Sequence, residues 1–253
     1  MEEPYIKIAE RPLNVLIACE ESQAICIEMR KLGHNAFSCD IQDCSGGHPE
    51  WHIMQDVLPL LNGNCKFVTR GGQEHVIEGK WDMIIAHPPC THLAVSGARH
   101  FEKKRADGRQ REAIILFCEF LRANCDFIVV ENPVNIISGK YVQEHFPDLA
   151  EKYGLPQKPS QIIQPNYFGD HARKTTCLWT KGKVPKLVPT DIVDQGEIVG
   201  KGFSVGASLD MARDENGKIL SWNDPRTGKI RSKTFPGIAK AIAEQWAGKV
   251  IEE

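Results

Sequence analysis

Short apolar runs that end abruptly at an acid or a proline recur along this chain, and segments of helical spacing separate them. NVLIAC (14–19), NAFSC (35–39), MIIA (83–86) and FIVV (127–130) are such runs. They do not alternate with polar residues, so each reads as a strand buried on both faces. Strands of that kind occur in parallel sheets covered by helices. Ser22–Leu32 has helical spacing and ends at Gly33, a natural stop. Gln110–Asn124 is a second amphipathic helix, and Thr234–Ala247 reads as a closing one. Ser160–Tyr167 and Thr175–Thr180 read as a strand pair, and 62–80 as a loop or hairpin. The expectation is an α/β fold: a Rossmann-like, mostly parallel sheet with helices on both faces.

The chain has 253 residues, enough for one large domain with a small appendage. Residues 182–230 are rich in Gly, Pro, Asp and Lys and weakly periodic, so they read as a small irregular module. The expected division is a core at 1–181, the module at 182–230, and 231–253 returning to the core. Net charge is −2, so any surface for a polyanion must be local. Nine cysteines, with no CxxC pair, argue for free thiols in a reducing cytoplasm and against a metal site. No run approaches membrane-spanning length, and MEEPYIKIAERP lacks the apolar core of a secretory leader.

In open parallel sheets, ligands bind beyond the carboxyl ends of the strands. Glu20-Glu21-Ser22 follows the first run, Asp40-Ile41 the second, and Asp56-Val57 lies further on. An acid at the second strand end suits a ribose, and one at the third suits an adenine amino group. The same acids are also favoured at helix starts. There is no GxGxxG after the first strand and no GxxxxGK[ST] anywhere. An adenosine cofactor without a phosphate chain, such as S-adenosylmethionine, is therefore the easier fit. His48, Trp51 and His52 read equally as a pocket wall or a structural turn.

Three further stretches fall at strand ends. Cys90 follows Pro88 and Pro89 in IIAHPPCTH, which fix the backbone where the strand stops. Glu131 stands in VVENP. Arg173 and Lys174 stand in FGDHARKTT. A thiolate can add to C6 of a pyrimidine if a carboxyl serves N3 and a cation steadies O2; C5 then becomes nucleophilic. Each residue also has a plain reading: a packing thiol, a helix-start acid, a surface ion pair. His87 and His92 flank Cys90 without an evident third metal ligand.

In order and combination, these motifs resemble the DNA (cytosine-5) methyltransferase family, in its compact phage or prophage type. PPC (88–90) resembles the Pro-Cys nucleophile motif, ENP (131–133) the Glu-Asn-Val motif, and HARK (171–174) the Gln-x-Arg-x-Arg motif. LIACEES resembles the first cofactor motif, and RSKTFPGIAKAIAEQW (231–246) stands where the closing motif would. The resemblance implies that S-adenosylmethionine donates a methyl group to C5 of a cytosine flipped out of duplex DNA. Cys90 would attack C6, Glu131 hold N3, and Arg173 or Lys174 steady O2. Cys19, Glu20, Glu21, Ser22, Asp40, Ile41, Asp56, Val57 and Pro88 would bind the cofactor. The chain departs from the family at three points. Ile17–Ser22 lacks the aromatic and the glycines, Thr91 replaces the usual Gln, and Lys233-Thr234-Phe235-Pro236 stands in place of Gly-Asn-Ser. A variant sulfonium donor stays open.

ARHFEKKRADGRQR (98–111) carries six cations against two acids just after the nucleophile. Ser96, Arg99, Lys103, Lys104, Arg105 and Arg109, with Arg226 and Arg231 further on, are the candidate DNA contacts. A single cleft implies a monomer. Two rivals remain: a thymidylate-synthase-like enzyme, which also uses a Pro-Cys nucleophile, and a catalytically silent fold that only binds DNA.

Overall fold

A computed structural model describes residues 7–195, 198–199, 203–204, 216, 220, 224, 226 and 232–251. In chain order the strands and helices are β1 (Ile8–Ala9), β2 (Asn14–Ala18), α1 (Ala24–Lys31), β3 (Asn35–Asp40), β4 (His52–Met54), β5 (Cys65–Val68), β6 (Glu74–Ile77) and β7 (Met83–Ala86). There follow α2 (Phe101–Ala106), α3 (Arg109–Arg122), β8 (Phe127–Asn132), α4 (Tyr141–His145), α5 (Pro147–Tyr153), β9 (Gln161–Ile163) and β10 (Thr176–Gly182). The described part closes with the pair β11 (Ile198–Val199) and β12 (Phe203–Ser204), α6 (Pro236–Ile242) and β13 (Lys249–Val250).

Seven strands form the main sheet in the order β4-β3-β2-β7-β8-β10-β9. The first five are parallel; β10 pairs antiparallel with both β8 and β9. The chain runs outward from β2 through β3 to β4, then resumes at β7 on the other flank of β2. The switch in direction therefore falls between β2 and β7, where open α/β sheets take their ligands.

The buried runs fold as they do because both faces are covered. Leu16, Ala18, Ile84, Ala86, Ile128 and Val130 pack on one face with Phe117 and Phe120 of α3. Trp179 of β10 meets Phe117 edge-on there, at 5.1 Å. Val15, Ile17, Met83, Ile85 and Val129 pack on the other face with Ile25 and Met29 of α1 and Ile238 and Ile242 of α6. Each fully buried aliphatic side chain contributes about 1.5–3 kcal/mol. Truncating Leu16, which has no exposed surface, to Ala costs about 2–5 kcal/mol.

Several boundaries differ from the sequence reading. The first helix starts at Ala24, because Cys19 and Gln23 hold left-handed backbone (φ 58° and 60°) and delay it. β8 runs to Asn132, so Glu131 lies inside a strand and not beyond it. The closing helix starts at Pro236 and passes into a π-helical turn, Ala243–Ala247. Segment 62–80 contains the β5–β6 hairpin. Of the expected irregular module, residues 182–195 lie along the core, with Leu187 buried beside α6. Most of the module, and Arg231, lie outside the described residues.

Candidate functional site

β7 ends at Ala86, and the backbone N–H of His87 still donates to Ala18 of β2, at 2.9 Å. Pro88 and Pro89 then turn the chain out of the sheet. Cys90 opens a single 3₁₀ turn, Cys90–His92, and is half-buried. Lys104 reaches back from α2 to this turn. Its ammonium donates to the carbonyl oxygen of Thr91, and its side chain is only 8% exposed. Burial, together with the charge of Arg109, lowers its pKa, while Cys90 and Asp107 act to raise it. The sequence reading turned Lys104 outward, toward a phosphate; here it faces inward and braces the cysteine loop.

β8 runs beside β7. Asn132 is buried and donates its side-chain amide to the carbonyl oxygen of Pro88, at 2.8 Å. Asn135 donates to Asn132 Oδ1 at 3.1 Å and accepts from the N–H of Ile137. The loop carrying Cys90 is thus fastened to the strand carrying Glu131. His87 Nδ1 lies 3.0 Å from Glu131 Oε2. Burial raises the Glu131 pKa, but the His87 hydrogen bond and the charges of His87 and Lys174 outweigh it, so the carboxyl stays below its ordinary range.

β10 supplies the third side. Its register sets Leu178 opposite Glu131 and Cys177 opposite Asn132. Lys174, just ahead of β10, acts on Glu131 and lies 5.8 Å from the ring of Phe235. Arg173 is exposed. Of the two candidate cations, Lys174 is the one that acts on Glu131. Asp170 Oδ2 accepts from the N–H of Gly237, at 2.9 Å, where α6 begins. A Cβ at Gly237 would stand 1.8 Å from the carbonyl oxygen of Phe168, so no larger residue fits this contact. Thr234-Phe235-Pro236-Gly237 therefore holds the HARK segment. Burial, then the charge of Glu131, pushes the neighbouring Cys177 thiol up to about 11, which keeps it neutral.

The candidate cofactor residues lie on the other side of the switch. Glu20 is buried and accepts from the N–H groups of Ile25 (2.7 Å) and Cys26 (3.3 Å), so it caps α1. Burial pushes its pKa up to about 7 against the opposing charge of His87 and those two hydrogen bonds. Glu21 is buried and Ser22 half-buried. Asp40 and Asp56 close tight turns, accepting from Gln42 and Leu58. Both also act on the Cys19 thiol, which burial raises first, so the two acids converge on the end of β2. Carboxylates there match ribose hydroxyls and an exocyclic amine, and the donor set fits a nucleoside-bearing cofactor. Cys19 and Gln23 take the left-handed angles that glycines supply in other turns. Pro88 is buried, Val57 belongs to the core, and Ile41 is 74% exposed. His48 stacks on Trp51 at 3.9 Å, with Arg30 lying 5.3 Å from the Trp51 ring. His52 opens β4 and is buried, its Nδ1 2.9 Å from the hydroxyl of Ser38 on the neighbouring β3.

Beside the cysteine loop runs a groove lined in part by Arg99, Phe101, Arg105, Lys140 and Tyr141. Arg105 donates to the Tyr141 hydroxyl. Ser96, Arg99 and Lys103 are exposed. Arg109 is paired with Asp107, and Arg226 with Asp224 at 2.8 Å. Sequence reasoning placed Asn132 in the ENP motif but linked it to no partner, paired His87 with no acid, and did not single out Lys140 or Tyr141. The available signal was a histidine and a glutamate at the ends of two adjacent apolar runs.

No family model matches the chain, and no curated protein matches it. Among solved structures it is similar to a candidate DNA modification methyltransferase encoded within a prophage of E. coli. The two are 13% identical with a TM-score of 0.41, over 72% of this chain and 52% of that one. This chain thus spans about half the length of that protein. Among the described residues, no helix is long and apolar enough to cross a membrane, and no group of His, Cys, Asp and Glu could hold a metal ion.

Proposed function

We propose that this protein is a DNA-modifying methyltransferase that acts on C5 of cytosine. The observation that carries this reading is the bond from Asn132 to Pro88, which fixes the Cys90 loop against the strand of Glu131. Lys174, just ahead of β10, acts on Glu131, which supports a working set of thiol, carboxyl and cation. That set serves one pyrimidine at three positions.

Cys90 attacks C6, and the Sγ–C6 bond raises electron density at C5. Glu131 engages N3 and Lys174 faces O2, where charge develops. The base must leave the duplex for C6 to be reached. The groove of Arg99, Arg105 and Lys140 holds the phosphates around the extruded nucleotide, and Tyr141 offers a ring edge there. S-adenosylmethionine, when bound, supplies an electrophilic methyl group. Asp40 and Asp56 hold its ribose and adenine, while the turn at Cys19–Gln23 shapes the pocket floor.

The test is covalent trapping. The protein is incubated with S-adenosylmethionine and DNA carrying 5-fluorocytosine, then run on a denaturing gel. A shifted band that vanishes in Cys90→Ala establishes nucleophile, base and donor together. A protein that binds the donor yet forms no band on any of several DNA sequences would refute the cytosine reading.

A further inference from the structure

We infer that His87 is the proton partner of Glu131, a positioning residue that supplies the proton with which the carboxyl engages cytosine N3. The inference rests on the reading of the site just given.

Cytosine N3 is a bare acceptor, and an ionised carboxylate is an acceptor too. Two acceptors cannot bond, so Glu131 must carry a proton when the base arrives. Before the base arrives it does not, since the His87 hydrogen bond and the charges of His87 and Lys174 outweigh the effect of burial. The proton must therefore come from a group already in contact. His87 Nδ1 stands 3.0 Å from Oε2. The imidazole is placed rigidly: its backbone N–H is bonded to Ala18 at the end of β2, and Pro88 follows it. Its side chain is only 10% exposed, and Nε2 is buried without a hydrogen-bond partner among the described residues.

The groups acting around the pair come from the ends of β2 and β10. Glu20 feels His87 from the end of β2, Lys174 acts on Glu131 from just before β10, and Cys177 of β10 is raised by Glu131. The pair holds one proton in two arrangements of equal composition: imidazolium with carboxylate, or imidazole with carboxylic acid. When N3 approaches, the Nδ1–H bond breaks and the Oε2–H bond forms. The carboxyl then donates to N3 as the Sγ–C6 bond forms and the C5=C6 electron pair moves onto C5. Once C5 carries its methyl group, the C5–H proton passes to a water base. The C5–H bonding pair restores C5=C6 as Sγ leaves with the Sγ–C6 pair. The N3 proton returns through Glu131 to His87, so the pair ends each cycle as it began.

The experiment is single-turnover adduct formation on 5-fluorocytosine DNA from pH 5.5 to 9, in wild type, His87→Gln, Glu131→Gln and the double variant. His87→Gln should slow the wild-type rate about 10²-fold at pH 8 and less at pH 6. Its alkaline limb should move, because without His87 only burial and Lys174 act on the Glu131 proton. Glu131→Gln offers a fixed N–H at N3, so adding His87→Gln to it should cost no more than about twofold. Equal losses in both backgrounds, or an unmoved pH limb, would overturn the inference. His87→Asn runs alongside, so that a folding defect in one variant cannot mimic the result. A second readout needs no methyl donor. In wild type, the affinity for mismatched duplexes should favour cytosine over uracil more strongly as pH falls, and His87→Gln should shift the pH at which that preference appears. A wild type that forms no adduct removes the parent reading, and the inference with it. A wild type that reacts while His87→Gln matches it removes the inference alone.

Discussion

The two halves of the cleft are built differently. On the Cys90 side, polar groups from distant parts of the chain lock together: Asn132 to Pro88, His87 to Glu131, Lys104 to Thr91. On the Asp40 side, the acids close local turns with residues two positions away. The first side is a wired frame, and its parts share a single geometry. The second is a row of separate contacts on an open rim. A site that forms and breaks a covalent bond needs fixed distances, whereas a site that grips a nucleoside can adjust contact by contact.

The largest effect should come from cutting the frame. Asn132→Leu leaves the carbonyl oxygen of Pro88 and the amide of Asn135 unsatisfied in the interior, at a cost of about 2–4 kcal/mol. Adduct formation should fall about 10²-fold while donor affinity, read by calorimetry, changes little. If donor affinity fell in parallel, the two halves would not be separate.

On the rim, Asp40→Ala should weaken donor binding about tenfold or more, with adduct formation restored at saturating donor. A rate deficit that persists at saturation would break the comparison from the other side.

Glu20 joins the halves, since it caps α1 and faces His87. Its folded pKa, about 7, lies above that of an unfolded glutamate, so the folded state binds the proton more tightly. Its stabilising contribution is then full below about pH 4.5 and is lost as pH rises through 7. The stability of wild type relative to Glu20→Gln, from urea midpoints, should therefore decline across that window by a few kcal/mol at most. A flat difference would put the carboxyl in ordinary solvation.

The smallest effects lie on the basic segment. Lys103→Ala should weaken DNA binding a few-fold and flatten the salt dependence by about one phosphate contact. Lys104→Met should leave that slope alone and slow adduct formation, because its ammonium serves the loop. Anisotropy at several salt concentrations separates the two neighbours.

The parallel half of the sheet was legible because β2, β3, β7 and β8 are each buried on both faces, which leaves an unbroken apolar run. β4 was not, since His-Ile-Met is too short to show a period. Nor were α4 and α5, split at Phe146-Pro147 into pieces of five and seven residues. In the candidate site, Cys90 and Glu131 were singled out from their position after apolar runs, although β8 runs on through Glu131 to Asn132. The pairing of Glu131 with His87 was not, because 44 residues separate them and only the β7–β8 register joins them. That Lys174 acts on Glu131 was likewise not legible, since it depends on how the segment before β10 lies beside β8. Lys104 misled because a lysine among lysines looks solvated, while its neighbours on α2 turn it inward.

One feature of the sheet bears on how the protein keeps company with itself. Both outer strands, β4 and β9, are three residues long, and each shows one large apolar side chain to solvent, Met54 and Ile162. A strand so short offers an incoming chain only a couple of backbone hydrogen bonds, too few to hold it. The edges of the main sheet therefore offer a second copy little to pair with.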